Sequence, residues 1–170
     1  YRQLTMTKTT SMAIFKFLST TLLLFFTVVV SANDANEPKS LRLGSYQELV
    51  AKHDTKPLVV VFWSITCASC LKEMATIKEI HLEQPSLPIV MVSIDDSAEA
   101  PAVLATLQDK GLSDLESWVF AESNAQRLRY EIDSNWYGEI PRLYFFDADH
   151  NRRGISGKIS KADWLELLAN

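Results

Sequence analysis

Cysteine is scarce in this chain, with only Cys67 and Cys70, two residues apart. That excludes a disulfide framework, because a bridge over so short a loop removes little entropy from the unfolded chain. A structural zinc site needs four Cys or His ligands. A lone C-x-x-C has no second pair, and His53, His81 and His150 are scattered without ligand spacing. Two thiolates do suit the soft ion Cu(I), so a copper-binding module is the alternative of a different class. Basic residues are also thin. From residue 33 onward, 14 Lys+Arg face 21 Asp+Glu, a net charge of −7. Phosphate backbones are bound by clustered Lys and Arg, so a nucleic-acid binder is not expected. The one adjacent basic pair, Arg152-Arg153, reads as a solvated hairpin end. Internal repeats are absent, as are low-complexity tracts beyond the N-terminal run.

The long apolar run is confined to the start. Lys8 and Lys16 supply positive charge, Phe17 to Val30 is apolar apart from Ser19, Thr20, Thr21 and Thr27, and Ser31-Ala32 offers small residues for cleavage. This is the layout of a secretory signal peptide over residues 1–32. Ala13 to Val30 is also at the lower margin of length for an uncleaved membrane anchor. No cysteine follows the run, which excludes lipid attachment at the cleavage site. Residues 33–40 are polar and read as a flexible leader, leaving 41–170 as one domain. Export places the chain in a periplasmic or otherwise extracytoplasmic, oxidising compartment, where a cysteine pair this close together is better explained by chemistry than by stapling.

Within 41–170, Leu58–Trp63 and Ile89–Ile94 are continuous apolar runs of the kind buried on both faces of a parallel sheet. Trp118–Phe120, Leu143–Asp147 and Arg153–Ser156 read as further strands, the last two joined by a hairpin turn at Asp149-His150-Asn151. Helices are expected from Tyr46 to about Lys52 behind a Ser45–Glu48 capping box, and from Cys67 to Glu83. Others are expected from Pro101 to Lys110 with Gly111 beyond its end, from a Ser123–Gln126 capping box to Tyr130, and from Ser160 to Leu168. Apart from the short first helix, the order approximates β-α-β-α-β-α-β-β-α. Such alternation predicts an α/β fold with a central mixed sheet and helices on both faces.

The C-x-x-C stands where a strand gives way to a helix. The first turn of a helix exposes unpaired N–H groups and the positive end of the dipole. A thiolate placed there is stabilised, and the thiolate is the form that attacks a disulfide. Three-residue spacing lets the second sulfur reach back. Cys67 is therefore assigned as nucleophile and Cys70 as resolving thiol. This chemistry requires no cofactor beyond the redox-active disulfide itself.

The segment Phe62-Trp63-Ser64-Ile65-Thr66-Cys67-Ala68-Ser69-Cys70 resembles the active-site segment of thioredoxins, and Ile140-Pro141 stands where that superfamily has its cis-proline. Cys67-Ala68-Ser69-Cys70-Leu71-Lys72-Glu73 is most similar to the C-x-x-C-x-x-E of exported TlpA/ResA-type oxidoreductases. The long stretch between Ile94 and Pro141 fits their central insertion. The resemblance implies a thioredoxin fold and a protein disulfide reductase acting on exported thiol proteins, re-reduced by a membrane donor of the DsbD kind. It assigns Pro141 to the client groove with Ile140, Glu73 to tuning the cysteines, and Trp63 to the floor of the site. A surface glutamate that favours the helix N-terminus is an equally good reading of Glu73.

The departures are equally specific. Val61 replaces the buried aspartate of thioredoxin, leaving Glu73 as the nearby acid. Thr66 replaces a tryptophan and should alter client contacts. Arg142 follows the proline, free to select acidic clients or simply exposed. Trp136 either lines the client groove or packs in the core. No histidine lies between the cysteines to stabilise a thiolate, which favours a reductant or isomerase over a strong oxidant.

Overall fold

Leu58–Trp63 (β2) is buried along its whole length and forms the centre of the sheet. Its side chains alternate between two apolar cores. Val59, Val61 and Trp63 face one, and Leu58, Val60 and Phe62 face the other. The uninterrupted apolar sequence reflects burial on both faces. The computed structural model describes residues 37–54 and 56–169. The signal-peptide or anchor segment at 1–32, and the leader as far as residue 36, lie outside them.

The other strands are Lys39–Leu41 (β1), Ile89–Asp96 (β3), Glu116–Phe120 (β4), Arg142–Phe146 (β5) and Arg152–Ser156 (β6). They form one mixed sheet in the order β1-β4-β3-β2-β5-β6. The pairs β1·β4, β4·β3 and β3·β2 are parallel, and β2·β5 and β5·β6 are antiparallel. The helices are Ser45–Ala51 (α1), Ala68–Glu83 (α2), Ala100–Lys110 (α3), Ala125–Ile132 (α4) and Lys161–Ala169 (α5). One face of the sheet is covered by α2, α3 and α5 through Met74, Ile77, Ile80, Val103, Leu107 and Trp164. The opposite face is covered by α1 and α4 through Tyr46, Leu49, Leu128 and Ile132. The stretch expected to be a central insertion is α3-β4-α4.

Several boundaries differ from expectation for identifiable reasons. Lys39 and Ser40, expected in the leader, pair with Trp118 and Val119 at the sheet edge. The Ser45 capping box does not form. Gly44 caps α1 at φ 88°, and the Ser45 hydroxyl accepts instead from the Arg42 N–H. Asn124, not Ser123, caps α4, accepting from the Arg127 N–H at 2.9 Å, and this helix runs two residues past Tyr130 to Ile132. The Ser160–Asp163 box does form, each side chain accepting from the other residue's N–H. β3 runs two residues past the expected Ile94, to Asp96. Leu82, although apolar, lies on the solvent side of α2 and is 69% exposed. Gly111 ends α3 at φ 66°, in the left-handed region that glycine enters without strain. Arg152 is not simply solvated, because it donates to the Ile132 carbonyl at 2.7 Å and lies over the Tyr144 ring.

Glu116 ties the N-terminal strand to this frame, accepting from Lys39 at 2.8 Å and Lys52 at 2.9 Å. Partial burial opposes its ionisation, but the two lysines more than offset this and bring its pKa down to about 2. A depressed carboxylate stabilises the fold above its ordinary pKa, and that contribution is lost as pH falls through the depressed value. Glu116→Gln is therefore expected to lower the urea midpoint at pH 6. The gap to wild type should narrow as pH falls from about 4.5 toward 2, and a gap that persists at pH 2 would contradict the assignment.

Candidate active site

β2 delivers the chain to a turn at 64–66, and α2 begins at Ala68 with Cys67 as its N-cap. The Cys67 sulfur does what a serine or aspartate oxygen usually does at this position, accepting the Cys70 N–H at 3.1 Å. Cys67 is half-buried and Cys70 is buried. Their sulfurs are joined as a disulfide, with the Cα atoms 5.2 Å apart. The Ser69 hydroxyl lies 3.3 Å from the Cys67 sulfur and is placed to donate to it. Solvent therefore reaches the first cysteine, at the positive end of a 16-residue helix, while the second lies beneath it. This asymmetry matches an attacking and a resolving thiol.

The Ile140–Pro141 peptide is cis, and the Ile140 carbonyl oxygen is 3.9 Å from the Cys67 sulfur. The sequence thus brings together residues more than seventy positions apart. Pro141 is buried, Ile140 is half-buried, and the Gly157 N–H donates to the Pro141 carbonyl at 2.7 Å. The loop leading to the proline is pinned at Asp133, which accepts from Arg142 at 3.1 Å, the Tyr144 hydroxyl at 2.8 Å and the Asn135 N–H at 3.0 Å. Burial opposes ionisation of Asp133, yet these donors and Arg152 hold its pKa below the ordinary carboxylate value.

Arg142 differs from both sequence readings. Its guanidinium bonds Asp133 and Ser156 and lies over the Tyr144 ring, so it is neither exposed nor free for an acidic client. Trp136 is a core residue rather than a groove wall. It is buried against Phe62 at 4.7 Å between ring centroids and donates to the Glu139 carbonyl. The neighbouring Tyr137 is 87% exposed. Thr66 is exposed beside Cys67, its hydroxyl 3.0 Å from that of Ser64.

Sequence reasoning missed Asp95. Its carboxylate accepts from the Ser64 hydroxyl at 2.7 Å, the Ile65 N–H at 2.9 Å and the Ser93 hydroxyl at 2.6 Å, bracing the turn that carries Cys67. A carboxylate directly after an apolar strand run was the available signal.

Glu73 is not a surface residue. It is fully buried on the same face of α2 as Cys70, Met74 and Ile77. The Trp164 indole N–H donates to Oε1 at 2.8 Å, and Oε2 has no hydrogen-bond partner among the described residues. Burial pushes the carboxyl pKa up, outweighing the Trp164 bond, the Ile159 main chain and the Lys158 charge, which favour the anion. A carboxyl with a raised folded pKa contributes fully below its unfolded value, and that contribution is lost as pH rises through the folded value. Glu73→Gln is thus expected to be more stable than wild type at pH 8, with the advantage vanishing near pH 4. Denaturant titrations at the two pH values decide this, and equal differences at both would refute it.

Trp63 is buried in the same core cluster as Cys70 and Trp164. The histidines each have local partners. His81 meets Asp114 at 2.8 Å, His150 contacts the His53 carbonyl at 2.6 Å, and His53 lies 4.0 Å from Glu116. Among the described residues no three His, Cys, Asp or Glu side chains cluster as metal ligands, and no helix is long and apolar enough to cross a membrane.

No protein-family profile matches the chain, and no curated protein matches it in sequence. Solved structures do match. A secreted Mycobacterium tuberculosis disulfide oxidoreductase, described as homologous to E. coli DsbE, superposes with a TM-score of 0.57 at 17% identity, covering 70% of this chain and 84% of that one. A thiol:disulfide interchange protein of the thioredoxin family from Chlorobium tepidum gives 0.56 at 21% identity, covering 70% and 81%. A DsbF homologue from Corynebacterium diphtheriae gives 0.57 at 16% identity, covering 69% and 73%. Identities this low speak to architecture alone: the chain has a thioredoxin-like fold, with the Cys67–Cys70 disulfide at the start of α2.

Proposed function

We propose that this protein is an extracytoplasmic thiol–disulfide reductase working through the Cys67–Cys70 dithiol. The observation that carries the reading is the Cys67 sulfur at the N-terminus of α2, half-buried over a buried Cys70 and facing the Ile140 carbonyl. In the reduced protein the Cys67 thiolate attacks one sulfur of a client disulfide. The client S–S bond breaks, a mixed disulfide forms, and the released client thiolate takes a proton from solvent. Cys70 then loses its proton, to Glu73 on the same helix face, and attacks the Cys67 sulfur. The mixed disulfide breaks, the second client thiolate leaves, and the Cys67–Cys70 disulfide has accepted back the oxidation of the client. Two electrons have passed to the client, and a dithiol donor must return them. No cofactor enters these steps.

Export rests on the charged and apolar layout of residues 1–32. The clients are accordingly exported thiol proteins, the donor is a membrane protein of the DsbD kind, and the N-terminal run is the means of any membrane association. Ile140, Pro141 and Thr66 border the client groove. The absence of histidine between the cysteines favours electron donation over oxidation. Reduction of insulin by the full chain, with dithiothreitol as the electron source, tests the reading. Catalysed precipitation of the insulin B chain is expected. Failure to reduce insulin, together with tight stoichiometric binding in a Cu(I) titration, would transfer the pair to copper handling.

A further inference from the structure

Trp164 and Glu73 lie 91 residues apart in sequence, yet each is completely buried and they share a 2.8 Å hydrogen bond. Buried carboxylates are rarely left with half of their acceptor capacity unused. Here Oε1 is held by an indole that cannot change its donor role, the Ile159 main chain also favours the anion, and Oε2 has no hydrogen bond of its own among the described residues. The indole is itself fixed, lying edge-on to the Phe145 ring at 5.0 Å between centroids. The helix that carries it is anchored at its start by the Ser160–Asp163 box and along α2 by Lys161, which pairs with Glu79 and Glu83.

We propose that Trp164 is a positioning residue of the redox centre, holding Glu73 one helical turn beyond Cys70 so that α5 governs how the dithiol exchanges protons. The inference rests on the reductase reading and extends it to a residue with no contact to a client. The surroundings of Glu73 make the bond consequential. Lys158 is the charged group whose field reaches it. Lys161 is engaged by Glu79 and Glu83. The core cluster contributes Trp63 from β2, Phe145 from β5 and Cys70 from α2 itself, the last being titratable once reduced. With few competing charges, loss of a single donor to the anion weighs heavily.

The test uses the full chain as wild type, Trp164→Phe, Trp164→His, Glu73→Gln and the Trp164→Phe/Glu73→Gln double variant. The Glu73 carboxyl is followed by carbon-13 NMR in the oxidised protein, and the midpoint potential of the cysteine pair is followed against pH. Trp164→Phe removes a hydrogen bond to a charged group, so the Glu73 titration is expected to rise by about one pH unit, a tenfold change in proton binding. The pH at which the potential changes slope should move with it. Trp164→His keeps an N–H donor and should recover part of both shifts. In the Glu73→Gln background, Trp164→Phe should leave the potential–pH curve unmoved. Two results would overturn the proposal: Trp164→Phe lowers the melting temperature but moves neither titration, or it moves the potential equally with and without Glu73. If Trp164→Phe does not fold, Trp164→His carries the comparison, and an unshifted Glu73 titration in a folded histidine variant whose potential curve has moved also overturns it. Failure of the reductase reading looks different, because the wild type itself would then fail to reduce insulin while the NMR titrations still report the Trp164–Glu73 bond.

Discussion

Replacing Cys67 with serine is expected to reduce insulin turnover by roughly 10³-fold or more, the scale on which loss of a nucleophile is felt. The reason is positional. Cys67 is the sulfur that solvent reaches, it stands at the N-terminus of α2, and it faces the Ile140 carbonyl. Cys70→Ser should fail differently. Its nucleophile remains intact, so the first exchange proceeds and the protein accumulates as a mixed disulfide that nothing resolves. Non-reducing electrophoresis and mass spectrometry of client mixtures separate the two variants. Equal trapping by both would mean that the roles of attacking and resolving thiol are wrongly assigned, and trapping by Cys67→Ser alone would reverse them.

Phe62→Ala is expected to cost about 3–5 kcal/mol of stability, the usual range for truncating a fully buried aromatic. Phe62 is wholly inaccessible and meets Tyr46, Phe120, Trp136 and Tyr144 with ring centroids 4.7–6.3 Å apart, three of the four contacts tilted or edge-on at less than 6.2 Å. Such geometries add to the area buried. The residue joins β2, α1, β4, β5 and the segment before the proline, so its loss leaves a cavity that no single element can close. Because Trp136 packs on Phe62 and its indole holds the Glu139 carbonyl, the truncation should also loosen the loop that brings Ile140 to Cys67. A urea transition with an unchanged slope and a lower midpoint checks the first effect, and slower alkylation-protected client exchange checks the second. A loss below about 1 kcal/mol would show that the core re-forms around the gap.

The legible parts of this protein are those fixed by local pattern. The continuous apolar run Leu58–Trp63 announced a strand buried on both faces, and the Cys67–Cys70 spacing after it announced a helix N-terminus. The mixed sheet with helices on both faces followed from alternating elements. The obscure parts depend on partners distant in sequence. Lys39–Leu41 has too few residues to show a period and is a strand because β4 offers it an edge. Arg142 looked available because Asp133 and Ser156, which engage it, lie nine and fourteen residues away. Trp136 was balanced between groove and core until Phe62 supplied its packing partner. Glu73 read equally well as a surface acid, since the indole that buries it comes from the last helix. Asp95 went unnoticed because the groups it accepts from, on Ser64, Ile65 and Ser93, converge on it only in the folded chain, where they brace the active-site turn.

The central claim, that the Cys67–Cys70 pair donates electrons, is tested most directly by its midpoint potential in the full chain, equilibrated in dithiothreitol and glutathione buffers at pH 7. A value near or below that of thioredoxin, about −270 mV, is expected. A value near that of the strong oxidant DsbA, about −120 mV, would contradict it and make the protein a source of disulfides.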